Sequence, residues 1–540
     1  MKTILKAAAL AALLSIHFAY PQQTAGTYRI SGTVQDASTG KLLDRANVAI
    51  FTPGPQGSQI AETTTAEDGS FIFDHLSAGK YRLDASRRGY IATAYDEHES
   101  FSTAIVTGPG LSSEGLHFRM QSAAVIGGVV TDEAGDPVNQ AQVMLYRQNT
   151  RNGLGNIVHY RQGITNDAGS YEFTRLEAGN YYISVSARPW YATSPNPKLD
   201  AQGNPLPEST NSPLDVAYQL TFYANVTDSD DATPIPVKSG DHIDINFSLH
   251  PVPAVHLRFA IPNQGRGAFG FPMLSQDVFG ARQIIPAGGT GFGNGIMRMD
   301  GVAPGQYQME FHGQRQSPSR FATIDLTSDQ EIDSNAGAAS VDVSGKIAMA
   351  SGAKLPNRLF VSLQSEGRTS ARGERVADDG SFTIHNIAPG SYEMLIRNPG
   401  STLAVIKIAA TGATAEGHIL KVGTQPVTVV ATLGSGETNV TGFAKRDGKP
   451  ASSVMVLLVP QDPGANHELF RRDQSDSDGS FTLYRAISGK YTLIAIEDGW
   501  TLDWAKPEVI GHYLAHGMKV SIPEGKQSLD LSTAVEVQPR

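Results

Sequence analysis

The chain has 540 residues, of which 43 are Lys or Arg and 53 are Asp or Glu, and it contains no cysteine. The absence of cysteine excludes disulfide bonds, cysteine-ligated zinc, iron–sulfur clusters and thiol nucleophiles. The formal charge of −10 argues against binding of DNA or RNA through the phosphate backbone. The length predicts several domains, and a hydrophobic fraction of 40% predicts that they are folded.

The first twenty residues have the layout of a secretory signal peptide. Lys2 and Lys6 form a basic start, an apolar run follows, and polar residues begin at Pro21. The run is too short to span a bilayer with margin, although a membrane anchor and a buried helix remain as alternatives. We expect removal of residues 1–20 and a mature protein in the periplasm, on the outer surface or outside the cell, without a transmembrane segment.

One pattern recurs along the rest of the chain. Each copy has a turn glycine, apolar residues at alternate positions, a second glycine ten residues later and a tyrosine two residues beyond that. The turn glycines are Gly69, Gly169, Gly295, Gly380 and Gly479, and the tyrosines are Tyr81, Tyr181, Tyr307, Tyr392 and Tyr491. The alternation predicts two strands in each copy. We expect the tyrosine to bury its ring and to bond its hydroxyl at the edge of a sheet.

An alternating strand with a central glycine precedes four of the copies, and another alternating strand closes the first two. The opening glycines are Gly32, Gly128, Gly345 and Gly442. Many short strands with regular turns predict β-sandwiches, and units of about 100 residues can each bury a core. The fold class is therefore predicted as all-β, a tandem array of about five Ig-like or transthyretin-like β-sandwich domains joined by short linkers.

We divide the chain at positions set by the repeat. The predicted limits are 24–122 for unit 1, 123–252 for unit 2 with a proline-rich insertion at 193–215, 253–338 for the divergent unit 3, 339–434 for unit 4 and 435–540 for unit 5. Contacts between successive units are expected to set the bend and the length of the array.

These residues resemble carboxypeptidase regulatory-like domains, the transthyretin-like modules related to Cna B-type and carbohydrate-binding-like folds. The resemblance rests on the opening Gly-x-Val strand, the stretch from Gly135 to Val143 and the Asp-Gly-Ser-Phe turn with its later Gly-x-Tyr. It covers nearly the whole chain after the signal segment, as in arrays of secreted bacterial proteins. It implies an accessory or structural role and no peptidase activity, and we expect no enzyme.

Three groups of residues have the chemistry of metal ligands, and each is interpreted as structural. His512 and His516 have the spacing of a zinc-binding helix, but no glutamate follows the first histidine and no third ligand is apparent. The carboxylates at 228–231 and 473–478 have calcium-binding oxygens, but solvated loop acids are the preferred interpretation. The glycines at 288–295 predict a hairpin rather than a nucleotide loop. We predict no catalytic residue, no metal and no cofactor.

Aromatic residues follow the repeat tyrosine in three units and are the candidate ligand-binding or partner-binding residues. They are Tyr90, Trp190, Tyr191, Trp500 and Trp504. They either plug the end of a core or form an exposed platform that stacks on a sugar or grips a partner. Units 3 and 4 have Gln316 and Ser401 at the equivalent position, so an aromatic residue is not needed to fold every unit.

The predicted function is that of a non-enzymatic, secreted or cell-envelope protein used for spacing, adhesion or scaffolding. The alternative is a carbohydrate-binding protein that uses the loop aromatics. A third hypothesis is a metal-dependent hydrolase around His512 and His516. The expected partners are polysaccharides or other envelope proteins, and nucleic acid is not among them.

Overall fold

The computed structural model describes residues 26–54, 57–193, 212–260, 272–285, 289–293, 296–311, 319–333, 337–365 and 373–540. The predicted signal peptide and most of the proline-rich insertion lie outside these residues. Strands predominate in the described part. The helical elements there are the α-helix Pro507–Leu514 and short 3-10 turns at Ser229–Asp231, His467–Leu469 and Gly499–Thr501. The prediction of an all-β array of sandwiches is confirmed.

Unit 1 consists of two sheets around an apolar core, and unit 2 has two such sheets and a third, two-stranded one of Val216–Tyr218 and Pro251–Pro253. The strands of unit 1 are Tyr28–Asp36, Asn47–Phe51, Gln59–Thr64, Ser70–Leu76, Gly79–Ser86, Thr93–Ala94, Ile105–Thr107 and Leu116–Met120. The strands of unit 2 are Ala124–Thr131, Gln142–Asn149, Asn156–Ile164, Ser170–Leu176, Gly179–Ser186, Val216–Tyr218, Thr221–Phe222, Ile235–Val237, His242–Asp244, Phe247–Ser248 and Pro251–Pro253. One sheet holds the opening strand and the other holds the repeat tyrosine.

Units 3, 4 and 5 repeat this plan around cores of their own. The strands of unit 3 are Val255–Ala260, Met273–Val278, Ala281–Ile284, Gly289–Gly293, Ile296–Val302, Gly305–Phe311, Arg320–Leu326, Gln330–Asp333 and Ala338–Ala339. Those of unit 4 are Val341–Met349, Phe360–Ser365, Glu374–Arg375, Ser381–Ile387, Gly390–Arg397, Leu403–Thr411, Ala413–Glu416 and Ile419–Val422. Those of unit 5 are Lys449–Pro450, Met455–Pro460, Arg471–Gln474, Ser480–Ile487, Gly489–Ile496, Met518–Ile522, Ser528–Asp530 and Val535–Gln538. The limits of the five units stay predictions.

The opening strand has the same neighbours in each unit. It runs antiparallel to the strand after the repeat turn and parallel to the closing strand. A Cβ atom on Gly32 would lie 2.2 Å from the carbonyl oxygen of Leu116. The corresponding distances to a carbonyl oxygen are 1.8 Å for Gly128 and 2.1 Å for Gly345. The opening strands of units 1, 2 and 4 therefore need glycine there because the closing strand lies too near for a side chain.

The repeat tyrosine makes the same hydrogen bond in all five units. Its hydroxyl donates to the carbonyl oxygen four residues earlier, at 2.7–3.0 Å. The five rings are buried, and burial raises the pKa of Tyr491 to about 12, so that its hydroxyl stays a donor. This arrangement closes the bend between the two strands of the repeat, as the sequence predicted.

A single strand, Val427–Arg446, joins units 4 and 5 in place of the expected linker. Its first half pairs parallel with the opening strand of unit 4, and its second half pairs antiparallel with Ser480–Ile487 of unit 5. Buried and solvent-facing residues alternate along it except at Leu433 and Gly434, which are both buried, and the strand continues through the predicted boundary without a turn. Units 4 and 5 therefore share one continuous strand.

Replacement of Gly32 by alanine should destabilise unit 1 by about 1–3 kcal/mol, the usual cost of forcing atoms into a packed site. Hydrogen–deuterium exchange at the amides of Tyr28–Asp36 measures the effect. The control is Gly423→Ala, where an added Cβ meets no atom within 4 Å. Equal protection in the two variants would contradict the close approach of the strands.

Candidate functional site

The five candidate aromatic residues lie in different environments, although three of them share one position in the repeat. Trp190 is 83% exposed, whereas Trp500 and Trp504 are 5% and 4% exposed. Tyr90 packs at the edge of the core of unit 1, and the guanidinium carbon of a neighbouring arginine lies 5.4 Å from its ring centre. Tyr191 lies beside Trp190. Position in the repeat therefore does not fix the exposure of these side chains.

The exposed Trp190 and the half-buried Tyr191 form an aromatic corner on unit 2. Their ring centres are 5.7 Å apart and their planes meet at 86°. The Tyr191 hydroxyl donates to one carboxylate oxygen of Glu133, and the Tyr218 hydroxyl donates to the other at 3.2 Å. Partial burial raises the pKa of Glu133, but these hydrogen bonds outweigh it and leave the pKa below its usual value. The Trp190 ring therefore lies on this corner beside Tyr191, whose hydroxyl is hydrogen-bonded to the ionised Glu133.

Trp500 and Trp504 are buried against units 1 and 2 and do not form an exposed platform in this structure. Trp500 stacks on His98 of unit 1, with 5.3 Å between ring centres and 7° between planes, and lies 5.5 Å from Phe101. Trp504 packs against Gly153 of unit 2, where a Cβ atom would come within 2.5 Å of its ring. These indoles bind other units of the same chain because the array folds back and brings its last unit onto its first two.

Arg472 of unit 5 lies at the centre of this contact. Its guanidinium is 2.7 Å from Glu99 of unit 1 and donates to the Arg151 carbonyl of unit 2 at 2.8 Å. Its guanidinium carbon lies 5.7 Å from the ring centre of Trp500 and 4.5 Å from that of Trp504. The side chains of Arg472 and Glu99 are 9% and 11% exposed. We call the contact of Arg472, Trp500 and Trp504 with units 1 and 2 the closing contact.

Of the carboxylates at 473–478, Asp476 extends the closing contact, and its side chain is 13% exposed, so it is not the solvated acid that the sequence suggested. Lys80 of unit 1 lies 2.6 Å from an Asp476 oxygen and donates to Ser480 at 2.8 Å. The other Asp476 oxygen accepts the backbone N–H of Ala104 of unit 1 at 3.0 Å. Burial raises the pKa of Asp473 to about 7 and also raises that of Asp476. The cation that faces these carboxylates is the ammonium group of Lys80 in unit 1.

The remaining candidate ligands lie at the surface. The acids at 228–231 are exposed, and Asp228 caps a 3-10 turn. His512 and His516 are exposed, and the helix ends at Leu514, so the two histidines do not share one helix. Within the described ranges, no group of three potential ligands is placed to hold a metal ion.

A buried histidine that sequence reasoning missed joins units 2 and 3. His256 Nε2 lies 2.7 Å from an Asp215 oxygen, and its Nδ1 lies 3.0 Å from an Asp300 oxygen. The hydrogen bond with Asp300, together with that with Asp215, raises the pKa of His256 to about 9 against the effect of burial. No motif marks this cluster because its members come from sequence positions that only the fold brings together.

The fold and these contacts define a tandem array of transthyretin-like β-sandwich domains. Residues 29–114 and 125–207 match the model of the carboxypeptidase regulatory-like domain family. No protein of curated function matches the sequence. In the described part, no helix is long and apolar enough to cross a membrane.

The solved structures that the chain is similar to include two pilins and the Bacillus anthracis TIE protein. A streptococcal ancillary pilin is 12% identical over 57% of this chain and 99% of its own, with a TM-score of 0.19. The Bacillus anthracis TIE protein is 10% identical over 76% of this chain and 75% of its own, with a TM-score of 0.17. The minor pilin GBS52 of Streptococcus agalactiae is 14% identical over 42% of this chain and 97% of its own, with a TM-score of 0.21.

Replacement of Arg472 by alanine should weaken the closing contact by about 3–5 kcal/mol because it leaves a buried carboxylate without its partner. Small-angle X-ray scattering should show a larger radius of gyration, and tryptophan emission should shift to longer wavelength. The matched control is Arg446→Ala, since Arg446 pairs with Glu497 on the exposed surface of the same unit. A radius and an emission unchanged from wild type would contradict this role of Arg472.

The junction of units 2 and 3 should lose stability in alkaline solution. The pKa of His256 rises from 6.5 to about 9 on folding, so its stabilisation is complete below pH 6.5 and is lost as the pH rises through about 9. Thermal unfolding measured against pH should show this loss in wild type and not in the His256→Gln variant. The exposed His385, which pairs with Asp342, provides the control variant His385→Gln, which should behave as wild type.

Proposed function

We propose that the protein is a non-enzymatic scaffolding or adhesion protein of the cell envelope or the extracellular space. Residues 1–20 would direct its export. The array would act as one folded assembly with fixed relative positions of its units, rather than as an extended spacer. Its outer sheet faces and loops would then present binding surfaces in a defined arrangement.

The observation that supports this proposal is the use of buried charged groups at contacts between units. Arg472 and Glu99 join units 5 and 1, and His256 with its two aspartates joins units 2 and 3. At the contact of units 4 and 5, His418 Nε2 lies 2.8 Å from Glu393, and its backbone N–H donates to a carbonyl of unit 5. Perturbed ionisable groups often mark active sites, but here they hold neighbouring sandwiches together.

The location should be tested by fractionation of cells that express the full chain. We expect the protein in the periplasm, in the outer envelope or in the medium, because residues 1–20 have the layout of an export signal. The matched control is a chain that lacks residues 2–20, which should stay in the cytoplasm. Cytoplasmic retention of the full chain would contradict the proposal.

The scaffolding role should be tested by cross-linking in whole cells, followed by purification of the tagged protein. Wild type should recover a reproducible set of envelope components. Arg472→Ala, which changes the relative positions of the units, should recover fewer of them, whereas Arg446→Ala should match wild type. Equal recovery by both variants would show that the arrangement of the units does not matter to function.

Polysaccharide binding is the second candidate, and the exposed indole of Trp190 favours it. A flat aromatic ring at the surface, with its neighbour Tyr191 fixed through Glu133, suits stacking on a sugar ring. Trp500 and Trp504 do not contribute to such a surface while the closing contact is formed, and Tyr90 packs on a core.

Replacement of Trp190 by alanine should lower retention on insoluble polysaccharides at least about fivefold, the loss expected for an aromatic anchor. The control is Tyr484→Ala, because Tyr484 is an exposed aromatic residue of unit 5 at 48% exposure. Failure of the wild-type protein to bind any member of a broad glycan panel would remove this candidate.

A further inference from the structure

Units 2 and 3 enclose a groove whose two walls are fixed by hydrogen bonds. The Tyr146 hydroxyl donates to Gln283 Oε1 at 2.7 Å, and Gln219 Nε2 donates to the Pro304 carbonyl oxygen at 3.1 Å. His256 of unit 3 adds its contact with unit 2. Two hollows of about 200 and about 440 Å³ lie between the units beside these contacts. A ligand that enters them meets a preformed surface, so little binding free energy is lost in ordering it.

The two hollows are parts of one groove with an apolar floor. Leu220, Gln276 and Tyr307 line both of them. Leu220 and Val278 belong to the apolar cluster that is packed between units 2 and 3, and the ring of Tyr307 is buried in the core of unit 3. The groove therefore follows the junction of the two units, and its shape depends on their fixed arrangement.

Glutamine side chains stand along both walls of this groove. Gln140 and Gln142 line it from unit 2, and Gln276 and Gln306 line it from unit 3. None of these four side-chain amides has a hydrogen-bond partner among the residues that the structure describes. An amide group both donates and accepts hydrogen bonds, as a sugar hydroxyl does. The walls therefore suit a ligand that carries many hydroxyl groups.

The smaller hollow ends beside the aromatic corner of unit 2. Pro189 lines this hollow, and the exposed Trp190 follows it directly in the chain. Tyr218 also lines the hollow, and its hydroxyl bonds the same Glu133 carboxylate that holds Tyr191. The groove and the corner thus share a wall, and a chain of sugar rings that stacks on the indole can continue into the groove.

The far end of the groove is acidic. Asp228, Asp230 and Asp277 line the larger hollow, and no lysine, arginine or histidine is among the described residues that line it. These carboxylates would repel a polymer that carries carboxylate, sulfate or phosphate groups, because like charges would be brought together. An uncharged polymer meets no such repulsion, so the charge of the groove selects against acidic glycans.

We propose that the groove between units 2 and 3 binds a linear, uncharged polysaccharide. One sugar ring stacks on Trp190, and the rings that follow are hydrogen-bonded by the glutamines of the two walls. This inference rests on polysaccharide binding, the second candidate function, and gives it a site and a class of glycan. It requires fixed positions of units 2 and 3, as the scaffolding role does.

The class of glycan should be tested by titration calorimetry on the purified full chain. The probes are linear, uncharged oligosaccharides prepared from cellulose, xylan and mannan, with an oligogalacturonate as the anionic counterpart. We expect at least one uncharged probe to bind, and the oligogalacturonate to bind at least about tenfold more weakly. Binding should also quench tryptophan emission, because Trp190 is the exposed one of the three tryptophans.

The position of the site should be tested by Gln142→Leu combined with Gln276→Leu, which removes one amide from each wall and nearly keeps side-chain size. Affinity for the uncharged probe should fall at least about fivefold, because two hydrogen bonds are lost. The matched control is Gln162→Leu, at an exposed glutamine of unit 2 that does not line the groove, and it should bind as wild type. Circular dichroism checks that each variant is folded.

The inference is overturned if affinity falls in Trp190→Ala but not in the double glutamine variant, a result that leaves sugar binding at Trp190 itself standing. An oligogalacturonate that binds as tightly as the uncharged probes overturns the class of glycan. An extended peptide that binds in place of every saccharide, and is lost in the double variant, assigns the groove to a protein partner and also overturns the inference. If no probe binds, the polysaccharide candidate fails and the inference falls with it, while the scaffolding role keeps its separate test.

Discussion

The contact of Arg472 with Glu99, Trp500 and Trp504 determines how the five sandwiches are arranged. Each sandwich has its own core, and this contact, together with the bonds of Asp476 and Ser477 to unit 1, brings the last unit onto the first two. The two indoles supply apolar area, and the guanidinium stacks on them while it neutralises a buried carboxylate. An array that would otherwise be extended becomes a folded assembly, and its outward surfaces acquire fixed relative positions.

Charge is used in the same way at the other contacts between units. His256 between two aspartates, His418 beside Glu393 and Lys80 against Asp476 are all found where one sandwich meets another. A chain without cysteine cannot lock such contacts with disulfides. Charge-assisted hydrogen bonds orient the neighbouring units instead. They also make these contacts sensitive to pH, whereas a disulfide would not.

The fold was largely predictable because its determinants are local. The repeat tyrosine bonds a carbonyl only four residues away, and the alternating strands were visible in the sequence. The functional surfaces were harder to predict, since Trp190 and Trp500 occupy the same repeat position but differ in exposure from 83% to 5%. The difference comes from unit 1, which covers Trp500 with residues about 400 positions earlier, and no periodicity in the sequence encodes such a contact.

Disulfide trapping tests the folded-back arrangement most directly. The chain has no native cysteine, and the backbone hydrogen bond between Ser477 and Ala104 brings these residues near enough for a disulfide. Ala104→Cys with Ser477→Cys should form an intramolecular disulfide on mild oxidation, seen by mass spectrometry and on a non-reducing gel. Ala104→Cys with Asp378→Cys, at the equivalent turn of unit 4, should not form one. Failure of the first pair to link within one chain would contradict the account.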